Sequence, residues 1–484
     1  MRWASRRRIL VVLRRLVTSD QLLLLIFAIF IGAAAAYGAI AFRFLVLMVQ
    51  GLGFGTFEGA LYTYAASLPP WQLIAVPTLG GLVIGLFVHF VMPERRPHGV
   101  ADVIEAVALR SGRIGVRAGL GAALVSAASI GVGGSVGREG PVVHLGAALS
   151  SWLGHAFGFG RSLIVTLLGC GVAAAIAASF NAPIAGVFFA LEVVIGHYAL
   201  TAFAPIVLAS VTGTIISRAQ YGDFPAFVVP SHSITSFFEF PAFALLGVIS
   251  AAVAVILIRS IAAAQAASDR TTVPRWLHPA LGGLVVGLIA LAFPHVLGVG
   301  YGATDAALND LLPLWLLIEL VVAKTVAVTV SIGSGFGGGV FSPSLFLGAM
   351  VGGAFGIVAT SAFPELSSGG SAYTLVGMGA VAGAVLGAPI STILIVFELT
   401  GDYEITIAVM VAVVLASVIT ERASGGSFFA WQLDRRGLDL AGGRERSLLA
   451  AIHVGDVMRG EYTAVADSMP MGALREKLQT APHG

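Results

Sequence analysis

LIAVPTLGGLVIGLFVHFVM, from Leu73 to Met92, is a nearly continuous apolar run without a charged residue. A strand of a membrane barrel would be about ten residues long and would alternate apolar with polar, whereas a helix needs about 20 apolar residues to cross a bilayer. Leu22 to Ala36, Ala242 to Ile258 and Leu311 to Ala323 have the same helical character. Many runs are shorter than a full span and broken by Gly or Pro, which predicts tilted, interrupted helices whose irregular backbone is buried in protein. The fold class is therefore an all-α polytopic membrane protein.

Composition agrees. Of the 484 residues 57% are hydrophobic, 61 are glycine and only 11% are charged, less than half the usual charged share of about 25%. So few charges cannot cover a soluble surface, and the customary division of length into soluble domains does not apply. The apolar content excludes intrinsic disorder, and a net charge of +2 without a long basic face excludes a nucleic-acid partner. A lone cysteine, Cys170, excludes a disulfide framework and a Cys-rich metal site.

Met1 to Arg15 carries six arginines ahead of the apolar stretch Leu22 to Phe42. That stretch exceeds the apolar core of about 7 to 15 residues in a signal peptide, so it reads as a membrane helix with a cytoplasmic N-terminus. From Glu421 to Gly484 sixteen charged residues occur in 64 and the apolar runs stop. In between, "HGVAD" (His98 to Asp102) recurs as "YGATD" (Tyr301 to Asp305), Pro141 as Pro343, and "NAPIAGVFFALEV" from Asn181 as "GAPISTILIVFEL" from Gly387, at offsets of 203, 202 and 206. Three landmarks in one order at nearly constant offset define an internal repeat. The expected organisation is a basic cytoplasmic segment 1–20, a first membrane repeat 21–220, a connecting segment 221–240, a second repeat 241–420 and a cytoplasmic tail 421–484. Such repeats are typical of transporters, with the substrate near the midplane where broken helices meet.

"GVGGSVGREGPVVHLG" (Gly131 to Gly146) places Arg138 and Glu139 among six glycines before an apolar helix expected to begin at Pro141. "GSGFGGGVFSPSLFLG" (Gly333 to Gly348) repeats the design with Pro343. Glycines followed by an early proline fit a helix N-terminus, whose free N–H groups and positive dipole end attract an anion. Two such starts meeting at one place could replace an anion's hydration shell without a lysine or arginine that would trap it. The bland reading is that the glycines only allow close helix packing. Gly333, Gly335 and Gly338 also match G-x-G-x-x-G, but membrane helices on both sides argue against a dinucleotide site. Glu139 is an ionisable group between membrane segments, where carboxylates are costly and usually functional. Ionised, it competes with the anion; protonated or swung out, it vacates the site. Structural pairing with Arg138 is its bland reading. Glu192 and Glu398, repeat-related, read as satisfied structural carboxylates, and Lys324 as a snorkelling side chain.

"GREGP" (Gly137 to Pro141), "GGVFSP" (Gly338 to Pro343) and "FNAPIAGVFFALE" (Phe180 to Glu192) resemble the signature segments of the CLC family of chloride channels and chloride/proton antiporters, over about residues 25 to 440. The resemblance implies a CLC-type inverted repeat and a homodimer with one pore per subunit. It implies a voltage-gated chloride transport protein of the cell membrane (bacterial inner membrane) with both termini cytoplasmic. It makes Glu139 the gating glutamate and the amides of Arg138, Gly140, Val340, Phe341 and Ser342 the anion contacts. It implies no catalytic residue, cofactor or metal.

Three positions depart from the family pattern. "PHGVA" (Pro97 to Ala101) stands for G-S-G-I-P, so His98 replaces the serine at the central anion, where its charge is expected to add a pH dependence to that of Glu139; the bland reading is a neutral histidine hydrogen-bonded to backbone in the pore wall. Phe429, in "GGSFFAWQL", stands for the inner-gate tyrosine. Val193 follows Glu192 where antiporters commonly carry a second, proton-relaying glutamate, although some lack it. An isopropyl group carries no proton, so the expected mode is passive chloride conduction, with coupled antiport as the alternative. "GREGP" and the absence of methionine at position 98 argue against the fluoride-exporting branch. In the tail, "HVGDVM" (His453 to Met458) and "VADSMPMGALREKL" (Val465 to Leu478) resemble the opening of a CBS module, too short to form a core or to bind a nucleotide. An ion-coupled organic solute symporter would need a polar cluster, and an intramembrane hydrolase a nucleophile and base. Neither is visible, and neither accounts for the paired helix starts.

Overall fold

Proline sets the start of several helices: Pro70, Pro183 and Pro389 open Pro70–Val91, Pro183–Phe189 and Pro389–Thr400. Its φ is preset for a helix, and its missing N–H has no partner in a first turn anyway. The computed structural model describes residues 20–57, 61–223, 227, 234, 236–438 and 468–480. Among these, nine helices are long and apolar enough to cross a membrane, and Val116–Gly131, Pro183–Ile195, Gly370–Leu386 and Pro389–Thr400 are shorter apolar helices. The run at Leu73 is the helix Pro70–Val91, with Pro77 inside it. Phe30, Leu79, Val83, Phe90 and Ile215 are exposed, which apolar side chains tolerate on membrane-spanning helices. The fold is all-α and polytopic, as the apolar runs require.

Arg161–Phe180 and Gly370–Leu386 are buried along most of their length and form the centre of the packing. Each ends on a residue in the left-handed region, Asn181 (φ 59°) and Gly387 (φ 65°), the first residues of the repeated "NAP" and "GAP". Glycine enters that region freely and asparagine with little penalty, so the chain can turn sharply before the next proline-led helix. Gly146 lies against the carbonyl of Gly171, and Gly348 against that of Gly377, at spacings that leave no room for a Cβ. The last glycine of each quoted Gly-rich segment therefore does serve close packing, which is one reason small residues occur between membrane helices.

The segment 1–19, "HVGDVM" and the start of the second CBS-like stretch lie outside the described residues. Met471–Thr480 is helical.

Replacing Gly348 by Val should overpack the contact with Gly377 and cost about 1–3 kcal/mol. Thermal denaturation of the purified variant in detergent checks this, with a lowered Tm as the expected result and an unchanged one against it.

Candidate functional site

The two Gly-rich stretches place the starts of Glu139–Ala156 and Phe341–Ala362. Each helix begins two residues before its proline rather than at it. The first turn needs no N–H partner at the third position either, so proline fits there without loss. In front of the helices the two loops cross: Gly137 N–H donates to the Gly339 carbonyl at 2.7 Å, and Gly339 N–H to that of Gly137 at 2.9 Å. Two serines repeat the exchange. The Ser331 hydroxyl accepts from Ser135 N–H at 3.1 Å, and the Ser129 hydroxyl accepts from Gly337 N–H at 2.9 Å. Positions 129 and 331, 135 and 337, 137 and 339 all differ by 202, so each bond has a counterpart with the halves exchanged. The signal lay in the sequence as a serine at one spacing before each glycine turn.

Glu139, the first residue of its helix, is 1% exposed. Its carboxylate lies on the other helix start. Ser342 N–H donates to Oε2 at 3.3 Å, the Ser342 hydroxyl is 2.5 Å from both carboxylate oxygens, and the Tyr301 hydroxyl donates to Oε1 at 2.8 Å. Arg138 is turned elsewhere: Nε stays 3.7 Å from Oε1, Nη2 donates to the Ser179 carbonyl at 3.2 Å, and the guanidinium lies 4.5 Å over the Tyr301 ring. Pairing with Arg138 thus does not satisfy Glu139. A negative oxygen held at the first amides of a helix stands where the helix dipole favours an anion.

A cavity of about 1150 Å³ reaches this point, lined by Glu139, Gly140, Val340, Phe341, His98 and Phe429 among others. Phe429 comes from the helix Phe428–Asp434, whose start is capped by the Ser427 hydroxyl. Arg138, Ser342 and Val193 are not part of that lining. Val193 is half-buried against the core in the π-helical turn Ala190–Ile195. Beside it, Glu192 accepts from Ile390 N–H at 3.0 Å and Ser391 N–H at 2.9 Å, while Glu398 accepts from Ile184 and Ala185 N–H at 2.8 Å each. Each carboxylate caps a helix start of the other half, which makes both structural.

His98 lines the cavity, but its ring nitrogens face protein acceptors, with Nδ1 at 3.3 Å from Asp102 Oδ1 and Nε2 at 3.3 Å from the Pro93 carbonyl. Its ring stacks on His144 at 5.8 Å. The hydrogen-bond donor that a serine would turn to an anion is therefore engaged elsewhere. Around it, Arg96 reaches Asp102 at 2.7 Å, Arg436 reaches Asp102 at 3.1 Å and Glu105 at 2.9 Å, and Arg110 reaches Glu105 at 2.5 Å. These groups lie outside the nine spans. Burial opposes ionisation of Asp102, but the His98 hydrogen bond, Arg96 and the Arg436 charge outweigh it and hold the carboxyl well below the usual carboxylate range. The stabilisation is present above the ordinary carboxylate pKa and is lost only as pH falls towards the lowered one. Asp102 therefore stays ionised across about pH 5 to 8.

Lys324 does not snorkel. It is fully buried and donates to the carbonyls of Val296 and Gly298, at 3.0 Å each. Two carbonyls just before the helix Tyr301–Leu308 take the place of water around the ammonium. Tyr301 escaped a reading by motif, since it figured only as a repeat landmark; its signal was its place as the counterpart of His98.

The sequence model of the voltage gated chloride channel family matches residues 80–421. A ClcB-like chloride channel protein of Ralstonia nicotianae is 35% identical over 411 residues, 84% of this chain and 95% of that protein. The voltage-gated ClC-type chloride channel ClcB of Escherichia coli is 30% identical over 409 residues, 84% of this chain and 97% of that protein. Among solved structures, a slow cyanobacterial Cl−/H+ antiporter superposes with a TM-score of 0.76 at 22% identity, covering 85% of this chain and 97% of that one. The chain belongs to the CLC family of voltage-gated chloride channels and related transporters, and is a membrane anion-transport protein rather than an enzyme.

Proposed function

We propose that the protein conducts chloride and similar small anions passively across the membrane, gated by Glu139, with the amides of Arg138, Gly140, Val340, Phe341 and Ser342 as anion contacts. The observation that carries this reading is the position of the Glu139 carboxylate on the Ser342 amide, at the start of Phe341–Ala362. A carboxylate there is an anion held where another would bind, so the two compete. Protonation weakens the hold, because a hydrogen bond to a charged acceptor is the stronger kind. Arg138 donates to the Ser179 carbonyl, lies over the Tyr301 ring and does not line the cavity, so its guanidinium is not presented to the ion.

Passive conduction is supported at the other end of the proton route. Val193 carries no proton, and Glu192 is engaged by two backbone amides. The alternative, chloride/proton antiport, would need a route for the proton that bypasses Val193. His98 and Phe429 form the inner part of the same cavity in this reading, His98 acting as wall because its ring nitrogens face Asp102 and the Pro93 carbonyl. The chain functions as one subunit of a homodimer in a bacterial inner membrane, with both termini cytoplasmic as its N-terminal arginines favour. No nucleotide is assigned to the CBS-like tail.

Glu139→Gln should raise chloride flux from liposomes at neutral pH by roughly tenfold, the scale of one lost charge-assisted hydrogen bond, and flatten its acid activation. Unaltered rate and pH dependence would show that Glu139 is not the gate.

For the mode, the reversal potential of the reconstituted protein under opposed chloride and proton gradients should lie at the chloride equilibrium value and ignore pH. Uphill proton movement driven by a chloride gradient would establish antiport instead.

A further inference from the structure

Resting on the reading of Glu139 as the gate, we propose that Tyr301 is the latch that holds it shut. Its hydroxyl keeps the Glu139 carboxylate across the anion's place. The hydroxyl donates to Oε1 at 2.8 Å, and the ring is clamped between the Arg138 guanidinium at 4.5 Å and the Phe227 ring at 4.7 Å. Phe227, 1% exposed, comes from the connection between the two halves. Tyr301 is the first residue of Tyr301–Leu308, and the turn before it is fixed twice. Lys324 binds the carbonyls of Val296 and Gly298, and Gly298 N–H donates to the Gly133 carbonyl at 3.2 Å, in the first Gly-rich loop.

The cavity reaches Glu139, while Tyr301, Arg138 and Phe227 are absent from its lining. Glu139 thus lines the cavity and also contacts this aromatic cluster, and the Tyr301–Glu139 bond must break before the carboxylate can leave. A phenol donates more strongly to a carboxylate than to a neutral carboxyl, so the latch holds the ionised gate and slackens on protonation.

Other charged and titratable groups lie on the elements around the Glu139–Tyr301 pair. Arg138 precedes it on the chain. Arg43, on Asp20–Phe54, lies over the Tyr221 ring at 4.3 Å, and Lys324 stands behind the Tyr301 turn. His98, Asp102 and Glu105 belong to the Val100–Leu109 region, and His144 to Glu139's own helix. Val116–Gly131 brings only the exposed Arg117, Arg161–Phe180 only Cys170 and Arg161, and Phe341–Ala362 no charged residue. Any pH effect carried by His98 or His144 persists when position 139 is neutral, so the Glu139→Gln background separates it from the latch.

The test is chloride flux against pH in liposomes for the parent, Tyr301→Phe, Glu139→Gln and the double variant. Tyr301→Phe keeps the ring and removes the donor. It should raise flux at neutral pH roughly tenfold and move the midpoint of acid activation about one pH unit alkaline, the scale of a hydrogen bond to a charged group. In the Glu139→Gln background it should change nothing further. Curves of Tyr301→Phe superimposable on the parent would overturn the latch, as would an equal effect in both backgrounds, which would make Tyr301 part of the wall. A Glu139→Gln variant indistinguishable from the parent would remove the gate itself, whatever Tyr301 does.

Discussion

The crossed pair of hydrogen bonds between Gly137 and Gly339 holds the two helix starts of the site against each other. Those starts belong to chain segments 202 residues apart, and the bridge places the Glu139 carboxylate beside the Ser342 amide. Backbone bonds alone would leave the two loops free to shear. The reciprocal bonds through Ser129 and Ser331 fix the register with a second pair at the same exchange of halves. Further out, Glu192 and Glu398 cap helix starts across the halves in the same manner. Each half thus supplies hydrogen-bond partners that the other lacks. In a membrane that is the economical way to satisfy helix ends that water cannot reach.

The electrostatics follow from this frame. An anion crossing a low-dielectric interior needs positive potential, yet a free guanidinium would hold it too long. Helix starts supply about half a unit charge each without a mobile cation. Arg138 and Lys324, the cations nearest the site, are both spent on carbonyls and aromatic rings. At the other end of the cavity, Arg96, Arg110 and Arg436 are neutralised by Asp102, Glu105 and Glu94, and the ionised Asp102 holds His98 by one ring nitrogen. Arg436, just beyond the helix bearing Phe429, thereby ties the end of the membrane part to the loop bearing His98.

The helices were legible because apolar runs and proline-led starts are local signals, and Glu139 was legible because a carboxylate among glycines in a membrane has few ordinary explanations. What stayed hidden depends on contacts distant in sequence. Nothing near Lys324 announces that carbonyls 28 and 26 residues away will receive its ammonium, so snorkelling was the natural expectation. Tyr301 carries no motif, and its partner is 162 residues away. The orientation of His98 was likewise set by a second position, Asp102, whose aspartate the repeat had marked only as a landmark. The start of each pore helix fell two residues before its proline because composition cannot say which residue of a first turn a proline will occupy.

In this mechanism carboxylate and anion contend for one place. Bromide, located by its anomalous signal in crystals of the parent and of Glu139→Gln, tests it directly. Bromide against the amides of Phe341 and Ser342 in the variant and none there in the parent is the predicted result. Bromide at that place in the parent, with Glu139 still bound to Ser342, would contradict it.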